Sequence, residues 1–302
     1  MESRGVASLC FSGLTLGGLG VTVSLLSSDG VSAFTQTFWR FTLAALFFLA
    51  LSVAVYRRET LPGRRELVVV GIGGGMMLFA SLTFMGAIAL GVPVPNVSFL
   101  SQMSTVFTIV LAVPLLHERL TTPKVAAVCL GMAGVFLISQ PWRAGGGNLL
   151  GEFLIVLNAL NFSLFTIFNR EFVFKLNYRP QLVSTWVFSG AALWSLPFLA
   201  LNLVQLPVGL SPREPFLVLS MACISTFVPY SLMNAGLKRI GAGEASVLML
   251  LSPVSSTILS YFVLKEVIGT FSLAGSSLII LSVIFLAAYE RRNGTRGLAN
   301  VE

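Results

Sequence analysis

One stretch of this chain occurs twice. Sliding residues 87–139 onto 235–287 by 148 positions, without a gap, places Ala87 on Ala235, Ser98 on Ser246, Leu100 on Leu248, Ser104 on Ser252, Leu116 on Leu264, Glu118 on Glu266, Thr122 on Thr270 and Val135 on Val283. Shared oiliness would align leucines, but it does not set a glutamate on a glutamate between two apolar runs. A chain built by duplication buries two similar units against each other, so function is expected between its halves.

The duplicated stretch is apolar for longer than a soluble helix requires. Runs of about 20 apolar residues, the length that crosses a roughly 30 Å hydrocarbon layer as a helix, recur along the whole sequence. With 55% hydrophobic and 10% charged residues and a mean hydropathy of +0.88, the chain falls outside the soluble range. The expectation is an all-α integral membrane protein of ten transmembrane helices, at about 5–26, 33–55, 67–90, 94–116, 125–140, 150–169, 182–204, 216–237, 242–264 and 271–289. Gly- and Pro-rich breaks such as Leu61-Pro62-Gly63 and Gly145-Gly146-Gly147-Asn148 separate them.

A formal charge of +7 could suggest a nucleic-acid partner, but the basic residues lie in short loops and act as topology signals. On this count only Arg143, Arg213 and Lys265 fall on one face; all others except Arg40, which lies inside a span, fall on the opposite face. The positive-inside bias therefore puts both termini in the cytoplasm. Five helices per half is an odd number, so the second half enters the membrane upside down. Two inverted five-helix repeats are expected, at 1–144 and 145–290, with a short cytoplasmic tail at 291–302. That layout implies alternating access around a site near the bilayer midplane.

Enzymatic chemistry finds little material here. There is one histidine, His117, and one aspartate, Asp29, and Cys10, Cys129 and Cys223 fall singly in three different spans. No metal site, cofactor or phosphate-binding G-x-x-x-x-G-K-[ST] loop is expected. Every glutamate lies at a terminus, in a loop or near a span end, so a proton-coupling carboxylate at the midplane is not expected and a facilitative mechanism is favoured.

Phe38-Trp39-Arg40-Phe41, Leu116-His117-Glu118-Arg119-Leu120-Thr121, Leu251-Ser252-Pro253, Leu264-Lys265-Glu266 and the segment 235–242 together resemble the drug/metabolite transporter superfamily. The match is to its ten-helix members built from two EamA repeats, and covers essentially the whole chain. Within it the chain looks most like bacterial exporters of aromatic and other amino acids and of cations such as paraquat. The resemblance implies a multi-pass protein of the bacterial inner membrane that exports amino acids, organic cations being a further cargo, and is compatible with a monomer. The alternative is an exporter of another metabolite or drug with proton coupling. Two departures stand out: Pro253 has Thr105 as its first-half counterpart, and Arg40 has no basic partner, since Trp186 matches Trp39 and Val187 follows.

The resemblance also implies a cavity lined by spans 1, 3, 4, 6, 8 and 9. Helical spacing then nominates Phe79 and Thr83, Phe99 and Gln102, Asn158, Phe162 and Phe165, and Thr226, Tyr230 and Asn234 as substrate-binding residues. Arg40 is expected to contact a substrate or a carboxylate, to pack by hydrogen bonds to neighbouring carbonyls, or to snorkel toward the outer surface. Glu118 and Glu266, at helix C-termini that disfavour negative charge, are expected to have local partners in a structural or coupling role. Pro253 is a candidate kink.

Overall fold

The computed structural model describes residues 2–56, 60–92, 94–118, 120–143, 148–204, 213–265 and 269–299. Among them ten helices are long and apolar enough to cross a membrane. They are α1 (Ser3–Ser28), α2 (Ala33–Tyr56), α3 (Glu66–Ile88), α4 (Phe99–Leu116), α5 (Thr122–Ser139), α6 (Leu149–Phe174), α7 (Pro180–Ala200), α8 (Arg213–Leu237), α9 (Ala242–Val263) and α10 (Thr270–Tyr289). The described residues contain no strand. A helix satisfies its own backbone hydrogen bonds, which a hydrocarbon environment demands of any spanning segment.

Contacts among helix ends sort them into two faces. On one, Arg170 of α6 donates to the Leu237 carbonyl that closes α8, Glu118 accepts from the amides that open α9, and Gly5 packs against Arg239 and Ile240. Among the described residues this face collects most of the lysines and arginines, and it is called the basic face below. On the far face Asp29 pairs with Arg213 at 3.4 Å, and Trp142 meets Phe271 edge-on with ring centres 5.7 Å apart.

Helices of the first half pack mainly on helices of the second. The most extensive contacts are α1 on α8 and α5 on α10, followed by α3 on α7, α1 on α9, α2 on α7, α3 on α6 and α4 on α6. Small residues permit close crossings: a Cβ on Gly134 of α5 would sit 2.6 Å from the Gly275 carbonyl of α10. Along the same seam the Ser282 hydroxyl donates to the Ala127 carbonyl at 2.8 Å. Polar side chains join the other pairs: Asn161 of α6 donates to the Met76 carbonyl of α3 at 2.8 Å, and Ser52 of α2 meets Thr185 of α7 at 2.7 Å. Such interhelical bonds replace the hydrophobic drive that lipid does not supply. Large apolar side chains such as Ile72, Leu193 and Ile284 cover the outer surface, as lipid contact requires.

Two helices are interrupted at matching places. α4 breaks at Gln102, where the helices Val94–Ser101 and Met103–Leu116 meet, and α9 breaks at Leu250, between Ala242–Met249 and Leu251–Leu259. Both breaks are bridged by shorter i→i−3 bonds: Gln102 to Phe99 at 3.2 Å and Leu250 to Val247 at 3.1 Å. At Leu250 the sequence favours the break, since Pro253 has no amide for Met249 and its ring crowds that carbonyl.

Candidate functional site

The interrupted helices border a cavity of about 470 Å³, within the range of small-molecule sites, about 300–1,000 Å³. It is lined by α1, α3, α4, α6, α8 and α9, with Arg40 from α2 and the far-face ends of α5 and α10. Its walls are mixed. Met77, Phe84 and Phe162 give apolar surface, Gln102 and Asn158 give amides, and Ser252, Ser256 and Ser260 form a hydroxyl stripe at intervals of four along α9. Gly17 holds α1 against that stripe, because a Cβ there would lie 2.8 Å from the Ser256 amide nitrogen. The lining runs from mid-span to the far face, where Ile138, Ser139 and Ser272 belong to it.

Arg40 is the one charged residue in the described lining. It is 7% exposed, and burying an unpaired guanidinium in a membrane costs at least about 2.5 kcal/mol. Its Nε donates to Thr226 Oγ1 at 2.9 Å, and it also bonds the Tyr230 side chain. The Thr226 position depends on a π-helical turn at Cys223–Phe227 of α8, within which the Thr226 hydroxyl donates to the Met221 carbonyl five residues back, at 2.9 Å. Such π turns recur at functional sites. Among the described residues no carboxylate lies within ion-pair distance of Arg40.

Toward the basic face the cavity closes. A second chamber of only about 50 Å³ shares Leu16, Gln102, Ser104, Phe162 and Ser252 with the first, so these side chains form the constriction between them. Below it lies a charged seal. The Glu118 carboxylate, at the end of α4, accepts from the Ala242 amide at 2.6 Å and the Gly243 amide at 3.2 Å, satisfying two orphan donors at the positive end of α9. Lys124 of α5 forms an ion pair with Glu244 of α9, both side chains 10% exposed. Arg170 lies over the Phe174 ring at 3.8 Å while capping α8. Among the described residues no group of three His, Cys, Asp or Glu side chains is placed to hold a metal ion.

Of the nominated binding residues, Gln102, Asn158, Phe162 and Tyr230 line the cavity. The others are placed elsewhere. Phe79 is 44% exposed on the outer surface, because α3 presents the Met77, Ala80, Ser81 and Phe84 side inward. Thr83 is spent on an interhelical bond, receiving Asn158 Nδ2 at 3.1 Å. Phe99 packs edge-on against Phe136, with ring centres 5.4 Å apart. Phe165 is buried in the core beside Tyr230. Thr226 lies behind Arg40, and Asn234 donates to Ser184 of α7 at 2.8 Å. Pro253 lines the cavity at the α9 break. Glu266 falls outside the described residues. The α9 hydroxyl stripe shows in the sequence only as a four-residue spacing, and α2, absent from the set of cavity-lining spans that the resemblance implies, reaches the cavity through Arg40.

A model of the EamA-like transporter family matches residues 3–140 and 149–288. An uncharacterized transporter of Archaeoglobus fulgidus is 25% identical over 270 residues, covering 89% of this chain and 94% of its own. An S-adenosylmethionine uptake transporter of Rickettsia conorii is 25% identical over 262 residues, 86% of this chain and 84% of its own. Among solved structures, one crystal structure superposes with a TM-score of 0.82 at 20% identity, over 97% of this chain and 99% of the other. That likeness is one of fold.

Proposed function

The chain belongs to the EamA-like transporter family, and on that premise we propose that it is an alternating-access carrier for amino acids and for larger solutes built on an amino-acid group. It is a membrane transporter and not an enzyme. In the proposed arrangement, residues 1–144 and 145–290 are inverted repeats, both termini are cytoplasmic in a bacterial inner membrane, and the far face is external. The cavity is then outward-facing, and the seal of Glu118, Lys124, Arg170 and Glu244 keeps the cytoplasmic side shut.

The observation that carries this reading is the cavity wall itself: one guanidinium, several amides and hydroxyls, and aromatic faces in a space sized for a small metabolite. Organic cations without a carboxylate, such as paraquat, lose support, because the described lining offers a positive charge and no carboxylate to offset theirs. The absence of an acid among those lining residues also favours facilitated movement, with net export wherever the solute accumulates inside. S-adenosylmethionine, the solute in the names of several Rickettsia relatives, carries the same amino-acid end and is the second cargo the cavity suits.

Purified protein in proteoliposomes tests this. Labelled amino acids and S-adenosylmethionine are offered with and without an imposed pH gradient. Saturable uptake indifferent to the gradient is expected. Strict gradient dependence would overturn the facilitative mechanism, and movement of none of these solutes would overturn the substrate class.

A further inference from the structure

We propose that Arg40 is the specificity-determining residue of the cavity, receiving the carboxylate of the solute. The inference rests on the amino-acid reading above and deepens it. It begins with the donor and acceptor count around the guanidinium. Thr226 spends its own proton on the Met221 carbonyl, so toward Arg40 Nε its oxygen acts as acceptor. Tyr230 spends its proton on Met77 Sδ at 3.7 Å, and its oxygen likewise faces Arg40 as acceptor. Both neighbours thus orient the guanidinium by accepting from it, and neither neutralises it.

A guanidinium carries five N–H donors in a rigid fork that matches a carboxylate. Two acceptors leave the rest for the cavity that Arg40 lines. A residue whose sole task was to tie α2 to α8 would need neither a cavity-facing edge nor a permanent charge. Across the same space, Asn158 donates its amide hydrogens to the Ala80 carbonyl and Thr83, so its carbonyl oxygen is left as an acceptor for an ammonium group. Gln102 and Ser252 stand at the two helix breaks with further acceptors. A carboxylate on Arg40 and an ammonium toward Asn158 would leave the solute side chain against Phe84, Phe162 and Met77.

The test is discrimination. In proteoliposomes of the wild type, uptake of labelled phenylalanine is competed by phenylalanine, by its amide and by phenethylamine. The acid is expected to compete at least tenfold better than either analogue lacking the carboxylate. Arg40→Gln, which keeps hydrogen-bond donors and loses the charge, is expected to raise KM for phenylalanine at least tenfold and to erase that preference, while Arg40→Lys restores part of it. A purely structural role would lower the amount of active protein without changing the order of competitors. Equal competition by acid and amide in the wild type, or an unchanged preference in Arg40→Gln, would overturn the proposal.

A second measurement needs neither transport nor a well-folded variant. Detergent-purified wild type should gain Tm with phenylalanine or S-adenosylmethionine and not with phenylalaninamide; no gain with either carboxylate, or an equal gain with the amide, also overturns it. If the wild type binds by this criterion but moves neither solute, the functional reading fails, and the role of Arg40 stands only if Arg40→Gln loses the gain with phenylalanine; a retained gain overturns it.

Discussion

α4 and α9 are near twins that differ where they begin. They break 148 residues apart, at Gln102 and Leu250, and their breaks use the same shortened bonding. They also end alike, on left-handed residues 148 apart, His117 with φ 58° and Lys265 with φ 59°. The proline that favours the α9 break is Thr105 in α4, where the amide survives and bonds Gln102 at 3.0 Å. The same break in the hydrogen-bond ladder with and without a proline teaches that packing around the cavity sets it, and that Pro253 reinforces it. The starts diverge: α9 opens at the basic face under the Glu118 carboxylate and with Glu244 in its first turn, whereas the position 148 before Glu244 is Asn96. Charge gathers at one end of one twin, and that is the end where the cavity is sealed.

Five substitutions would break or sharpen this comparison. The largest effect is expected at Glu244→Gln, which removes an ion-pair partner of the buried Lys124 ammonium. A loss of about 3 kcal/mol is expected, read as a lowered Tm in detergent, together with easier thiol labelling of cysteines introduced below the constriction. If the seal is not what closes this side, labelling stays flat. Next is Glu118→Ala, which leaves the Ala242 and Gly243 amides without their acceptor and should cost about 2 kcal/mol. The repeat predicts a similar loss for Glu266→Ala, and a silent Glu266 would show that the twins differ at this end too.

Smaller effects are expected at the breaks. A proline in an uninterrupted helix costs ~3 kcal/mol or more, but Thr105→Pro removes an i→i−3 bond and the long hydroxyl bond to the Ser246 carbonyl at 3.4 Å, and should cost about 1–2 kcal/mol by the same melting measurement. A full proline penalty there would mean that the two bends are held differently. The reverse change, Pro253→Ala, should move stability by less than about 1 kcal/mol in either direction, with saturable transport retained. Loss of transport would make the proline itself part of the moving mechanism.

Much of the fold could be read in advance because hydrocarbon leaves few options: a run such as Ala33–Tyr56 has to be a helix, and its neighbours have to alternate in direction. The cavity was less legible. Gln102, Asn158, Phe162 and Tyr230 were found from helical spacing, but Phe79 and Phe99 share that spacing and point elsewhere. In a membrane the lipid-facing and cavity-facing sides of a helix can be equally apolar, so periodicity does not tell them apart. Thr226 and Asn234 look like binding groups in the sequence and serve as interhelical bonds in the structure.

The sequence alone determined an all-helical membrane protein with ten spans and a duplicated hairpin, because length and hydropathy are properties of each segment by itself. Only the tertiary structure decided that Arg40 of α2 reaches the cavity, that a Thr226 hydroxyl set by a π turn holds it there, and that Glu118 caps a helix 124 residues away. Those facts depend on which helix faces meet and how closely, and small residues such as Gly17 and Gly134 set that distance without specifying in the sequence which partner they approach.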